Sequence, residues 1–111
     1  MSHADVYAAV SQHVPCSHME FPNDTHPDVP FACYLLDYGR PIVAGDVQIG
    51  VRNKWIVELY EKRRDKELEE AIQASLIEAF GSVRRDEQWI ENDNLLQVVY
   101  TFYEIEGDFD G

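Results

Sequence analysis

Polar and apolar positions alternate most cleanly between Trp55 and Glu61. Trp55, Val57 and Leu59 fall on one side and Ile56, Glu58 and Tyr60 on the other, the period-two pattern of a strand with one dry face. The charged run Glu61-Lys62-Arg63-Arg64 follows and reads as a solvated turn. Asp65 then stands where a short carboxylate caps a helix by accepting a first-turn backbone N–H. Beyond it Leu68, Ala71, Ile72, Leu76, Ala79 and Phe80 recur at steps of three and four, which predicts a helix over 65–80 with one apolar stripe. Glu67, Glu69 and Glu70 lie near its positive end, on what reads as its solvated side. Gly81 supplies a left-handed stop.

The same reading extends to the rest of the chain. Ser2 and Asp5 resemble a capping box, and Val6, Ala9, Val10 and His13 share a helical face, so residues 3–13 predict a first helix that Pro15 ends. Cys16–Phe21 reads as a short strand with Met19 and Phe21 inward, and the proline-rich stretch 22–30 as a loop. Phe31–Tyr38 is a second strand, with Phe31, Cys33 and Leu35 on one face and Tyr34, Leu36 and Tyr38 on the other. Gly39-Arg40-Pro41 opens a long connection to about Val51, read as an irregular β-ribbon arm. Ser82–Glu91 is a polar strand, Asn92-Asp93-Asn94 a turn, and Leu95–Glu106 a last strand with Leu96, Val98, Tyr100 and Phe102 on one face. The order α-β-β-β-α-β-β predicts an α+β fold: a single antiparallel sheet with two helices on one face. Residues 1–106 form the expected single domain, and 107–111 an acidic, frayed tail.

Composition narrows the classes. A chain of 111 residues that is 45% hydrophobic builds a core without a metal or disulfide staple. It has no apolar run approaching roughly 18 residues, hence no predicted membrane span, and no basic start followed by an apolar stretch to suggest secretion. Its two cysteines, Cys16 and Cys33, are then most simply free thiols in a reducing compartment. The net charge of −12 opposes specific binding to nucleic acid or to an anionic membrane, since phosphate contacts need Lys and Arg. Basic residues concentrate at Arg52–Lys66 and at Arg84-Arg85, while Glu104, Glu106, Asp108 and Asp110 cluster near the end.

No arrangement of residue types points to catalysis. His13-x-x-Cys16-x-His18, with His26 and Cys33 further on, has metal-ligand chemistry, but the spacing fits no zinc pattern. His13 is expected to close the first helix instead. Acids of the second helix alternate with Lys62, Arg63, Arg64 and Lys66, as on a solvated face. The chain contains no nucleophile elbow, phosphate loop or dinucleotide fingerprint, so no catalytic residue, cofactor or metal ligand is assigned and the protein is not expected to be an enzyme. The strand aromatics Tyr34, Tyr38, Tyr60, Tyr100, Tyr103 and Trp89 are more suggestive. A sheet covered on one side leaves Ile56, Tyr60, Val99, Tyr103 and Ile105 on its free face, either as ordinary strand composition or as a subunit interface. Ile42, Val43, Val47 and Ile49, with Asp46 between them, make the connecting arm a candidate oligomer interface, because four apolar residues in a surface connection are hard to justify in a monomer.

Four segments resemble a known family. They are Pro30-Phe31-Ala32-Cys33-Tyr34, the loop Ala44-Gly45-Asp46-Val47, the joint from Ile56-Val57-Glu58-Leu59-Tyr60 through Lys66-Glu67-Leu68-Glu69, and Gln97-Val98-Val99-Tyr100-Thr101-Phe102. Together they are similar to the small tail-completion proteins of siphophages and prophages of Gram-positive bacteria, over about residues 5–106. Asp46 stands where the family's loop aspartate falls, although Asn53-Lys54 comes later than the family's Asn-Lys. The resemblance implies a tail terminator or head–tail joining protein without enzymatic activity. Such a protein assembles with itself as a ring, commonly a hexamer, between the tail-tube protein and the head–tail connector. It resides in the host cytoplasm during assembly and then in the virion at the tail end. Two other readings fit the composition: an acidic DNA mimic that inhibits a nucleic-acid enzyme, against which the interleaved Lys and Arg count, and a small intracellular adaptor or ligand-binding domain.

Overall fold

The computed structural model describes residues 3–18, 28–91 and 93–107. In chain order the elements are α1 (His3–Ser11), β1 (Cys16–His18), β2 (Phe31–Ala44), β3 (Val47–Glu61), α2 (Lys66–Phe80), β4 (Arg84–Ile90) and β5 (Leu95–Gly107). The strands form one five-stranded sheet in the order β1-β2-β3-β5-β4. The α+β class and the element order are those expected from the sequence. The sheet, however, is mixed: β1 runs parallel to β2, while the other neighbours are antiparallel. The connection 19–30 is long enough for the crossover that a parallel pair requires, and the Ala32 N–H donates to the Pro15 carbonyl at 2.8 Å where the pair begins.

Register explains the core. Trp55 stands opposite Leu36 and Phe102, Val57 opposite Tyr34 and Tyr100, and Leu59 opposite Ala32 and Val98. These tiers across the three central strands carry the side chains that the alternation assigned to the dry face. Ile72 and Leu76 of α2 and Val6 and Val10 of α1 close over them, all fully buried. Each such aliphatic side chain contributes about 1.5–3 kcal/mol relative to exposure. Phe80 at the end of α2 stacks on Phe102, with ring centroids 4.9 Å apart.

Both ends of α2 follow the sequence. The Asp65 carboxylate accepts the Leu68 N–H at 3.1 Å. Gly81, at φ 92, donates its N–H to the Ile77 carbonyl. Helix α1 stops at Ser11, short of the expected His13. His13 lies in the turn that ends it, its N–H donating to the Val10 carbonyl at 3.0 Å. Its Nε2 lies 2.8 Å from the Ser75 hydroxyl and ties α1 to α2. Strand β1 is described to His18, so the inward placement of Met19 and Phe21 lies outside the described residues, as do the Ser2 cap, most of the 22–30 loop, the side chain of Tyr38 and the tail beyond Gly107.

The connection 39–51 departs most from expectation. It is not an irregular loop: β2 and β3 stay paired through it as one long hairpin, from Phe31↔Tyr60 out to Ala44↔Val47. Gly45-Asp46 makes the turn, with Gly45 at φ 65, the left-handed first position that a two-residue hairpin turn of this kind needs. Bulges between Asp37 and Arg40 and between Ile42 and Val43 interrupt the alternation, which is why no period-two pattern is visible here in the sequence. Gly39 sits at the first bulge, where a Cβ would collide with a Val51 methyl and the Asn53 side chain. Fifteen residues of β3 at about 3.3 Å each span about 48 Å, close to the molecule's long dimension of 49 Å. The hairpin thus projects past the helices as an arm.

Candidate functional site

The arm is built from the outer parts of β2 and β3, with β5 pairing alongside as far as Gly107↔Gly50. Of the interface residues expected from the sequence, Val43 and Val47 are 57% and 64% exposed, Ile42 and Ile49 are half-buried, and Asp46 occupies the exposed turn. At the root of the arm Arg40 pairs in register with Arg52, and Asp37 with Lys54. These residues and Tyr103 line a cleft of about 180 Å³. The Arg52 guanidinium lies 3.9 Å from the centroid of the Tyr103 ring, a cation–π contact. A cationic root and an apolar tip thus share one protrusion on a strongly acidic chain.

The sheet face away from the helices holds the second expected group. Ile56, Tyr60 and Val99 are half-buried there, while Tyr103 and Ile105 are largely exposed. A side-chain relay that the sequence did not suggest crosses this face. Gln88 donates to Gln97, and the Gln97 amide reaches both Glu58, at 2.6 Å, and the Tyr60 hydroxyl, at 3.0 Å. Tyr60 in turn donates to Glu58 at 2.7 Å and stacks against Phe31. Burial and the bond to Glu58 push the Tyr60 phenol above its usual range, so it stays protonated as a donor. The relay joins β4, β5 and β3 and makes this face partly polar.

The sequence reading misplaced Glu61 and Glu69. Both were expected on solvated surfaces, yet Glu61 is 1% exposed and Glu69 3%. Glu61 keeps the parity of Trp55, Val57 and Leu59, so its side chain turns inward. Glu69 stands three residues before Ile72 and seven before Leu76, on the buried stripe itself. The pattern was legible, and the charge argued against it. One Glu61 oxygen accepts the Asp65 N–H at 3.3 Å. The two side chains meet as a carboxyl pair, and desolvation followed by the contact with Glu69 pushes the Glu61 carboxyl up to about 8. The proton so held on Glu61 lets its carboxyl bond to that of Glu69. Arg64 approaches Glu69 from outside at 3.7 Å and pairs with Glu87 of β4. The Tyr100 hydroxyl donates to the Glu69 carbonyl at 2.7 Å. This cluster joins the start of α2 to the sheet and is structural in character.

Among the described residues, no group of three or more His, Cys, Asp or Glu side chains is placed to hold a metal ion; His26 lies outside them. His18 packs against the rings of His3 and Tyr34. His13 bonds Ser75, as above. Burial and the neighbouring Cys33 push the Cys16 thiol up to about 12, so it is a poor nucleophile at neutral pH. Between α1 and α2 runs an open groove of about 870 Å³, lined among others by Asp5, Ala8, Glu78, Ala79, Phe80 and Glu104.

One chain of the virion of a native gene transfer agent (GTA) particle has this fold. It aligns over 96% of this chain and 87% of its own, with a TM-score of 0.54 and 13% sequence identity. At that identity the likeness concerns the fold. No family model matches the chain, and no curated protein matches it.

Proposed function

We propose that the chain is a non-enzymatic structural protein of a phage-like particle that closes the tail tube at the head–tail junction as a homo-oligomeric ring. The observation that carries this reading is the arm: a paired hairpin with an apolar, exposed tip and no core of its own. An isolated two-stranded ribbon is marginal in water, so such a tip is best accounted for by burial against another surface. The fold likeness to a virion chain supports a structural role in a particle, and the sequence resemblance to tail-completion proteins supports the position in it. In the ring, head-to-tail contacts repeat until they close. The tail-tube protein lies on one side and the connector on the other. The surplus of carboxylates lines the channel in part, so that DNA passes without adhering.

Arm replacement tests this. Pro41 and Val51 are cross-strand partners, so replacing residues 42–50 by Asn-Gly shortens the hairpin with its strands still paired. The variant should fold, with an unchanged far-ultraviolet spectrum and a similar melting temperature. Introduced into the parental phage or prophage genome, it should give particles without completed tails. Infectious particles with tails of normal length would refute the proposed role of the arm.

A further inference from the structure

We infer that β4 pairs with β4 of a second copy of this chain, antiparallel about a two-fold axis at Asp86, so that two sheets become one. This contact is distinct from the head-to-tail contact of the ring reading above and does not rest on it.

Strand β4 is the last of the sheet, and among the described residues its backbone bonds to β5 alone. Such an edge is a ready template for a further strand. Nothing in β4 blunts it: the strand has no proline, no glycine and no bulge against β5. Neither helix covers it. Residues 84–89 are all exposed, so both faces of the strand are open. Arg85, Glu87 and Trp89 take the helix side, opposite Tyr100, Val98 and Leu96 of β5, and Arg84, Asp86 and Gln88 take the other.

The order of charges selects the occupant. A continuous sheet keeps side chains of one face together, so a two-fold axis through β4 must fall at a residue. With the axis at Arg85 that arginine would face itself, and at Glu87 that glutamate would; like charges directly opposite repel. With the axis at Asp86, Arg85 faces Glu87 twice and Arg84 faces Gln88 twice. Asp86 then faces itself, but each Asp86 already holds its own Arg84 at 2.9 Å, and the diagonal brings it the Arg84 of the other copy. Glu87 pairs with Arg64 of its own chain and is still 49% exposed, open to Arg85 of the other copy. The same register sets Trp89 opposite Val83 of the other copy. Trp89 is 50% exposed, and Val83 is partly buried against the core, so pairing covers the large aromatic that β4 leaves in water. Because β4 runs along β5 no further than Thr101, the pair leaves the arm free. A contact of one patch with itself closes at two copies.

Charge reversal and single cysteines test the pairing. Sedimentation velocity of the purified full-length chain at high concentration and low salt should show a dimer. Arg85→Glu and Glu87→Arg each set like charges opposite one another, and each alone should weaken the dimer at least about tenfold. Mixed in equal amounts, the two variants should associate again, since every facing pair is then opposite in sign. On oxidation Asp86→Cys should give a disulfide-linked dimer. Gln88→Cys, roughly 13 Å from its counterpart along the strands, should not, nor should wild type. Replacing residues 42–50 by Asn-Gly should leave the dimer intact. A chain that stays monomeric, a dimer indifferent to either charge reversal, no recovery on mixing, no Asp86→Cys link, or an equal one from Gln88→Cys overturns the pairing. So does loss of the dimer with the arm, which would move the contact there. The ring reading is judged apart from all of these, by tail completion.

Discussion

The buried carboxyl pair makes a contribution to stability that weakens as pH rises, the opposite sign to that of an ion-paired carboxylate, and Glu61→Gln isolates it. In the unfolded chain Glu61 ionises near its ordinary value of 4.5; in the fold it holds its proton up to about 8. Between those values the folded state binds more protons than the unfolded one, so stability falls as pH rises. The contribution is fully present below about 4.5 and is lost as pH climbs through about 8. At about 1.36 kcal/mol per pKa unit, the shift sets a ceiling of about 5 kcal/mol, which water entry and relaxation around the ionised pair reduce to on the order of 2 kcal/mol. Glutamine keeps the shape and the acceptor for the Asp65 N–H, and its amide donates to Glu69 at every pH. Other carboxylates titrate in both proteins, so the informative quantity is the difference between them. Urea unfolding of wild type and Glu61→Gln at intervals from pH 5 to pH 9 should show the variant gaining on wild type by on the order of 2 kcal/mol across the range. Its melting temperature at pH 8.5 should be higher by several degrees, at roughly 4 °C per kcal/mol. Parallel stability curves for the two proteins would refute a proton held between Glu61 and Glu69.

Three further outcomes follow from the packing. Ile72 is fully buried between α2 and the sheet, so Ile72→Ala should cost about 2–5 kcal/mol, read as a lower urea midpoint with an unchanged slope. Asp65→Ala removes the cap bond to the Leu68 N–H and should cost about 1 kcal/mol, with faster amide exchange confined to the first turn of α2. Gly39→Ala forces a Cβ against Val51 and Asn53; amide exchange should accelerate in residues 37–54 while the amides of Val57, Leu59 and Tyr100 stay protected.

What the sequence determined by itself is the part of the fold governed by short-range periodicity and local capping. The dry face of β3, the stripe of Ile72 and Leu76, the Asp65 cap and the Gly81 stop are each written within a few residues, because backbone geometry fixes which side a side chain takes. Tertiary structure alone decided what depends on partners distant in the chain. The parallel pairing of β1 with β2 needed the crossover, and the continuity of the hairpin through 39–51 was hidden by two bulges that break the alternation. The Gln88–Gln97–Glu58–Tyr60 relay depends on the register of three strands. The same is true of the opposition of Arg40 to Arg52, which no spacing along the chain reveals. Glu61 and Glu69 lie between these cases. Their positions predicted burial and their charge predicted exposure, and position prevailed because Glu61, folded against Glu69, keeps a proton that solvent would have taken.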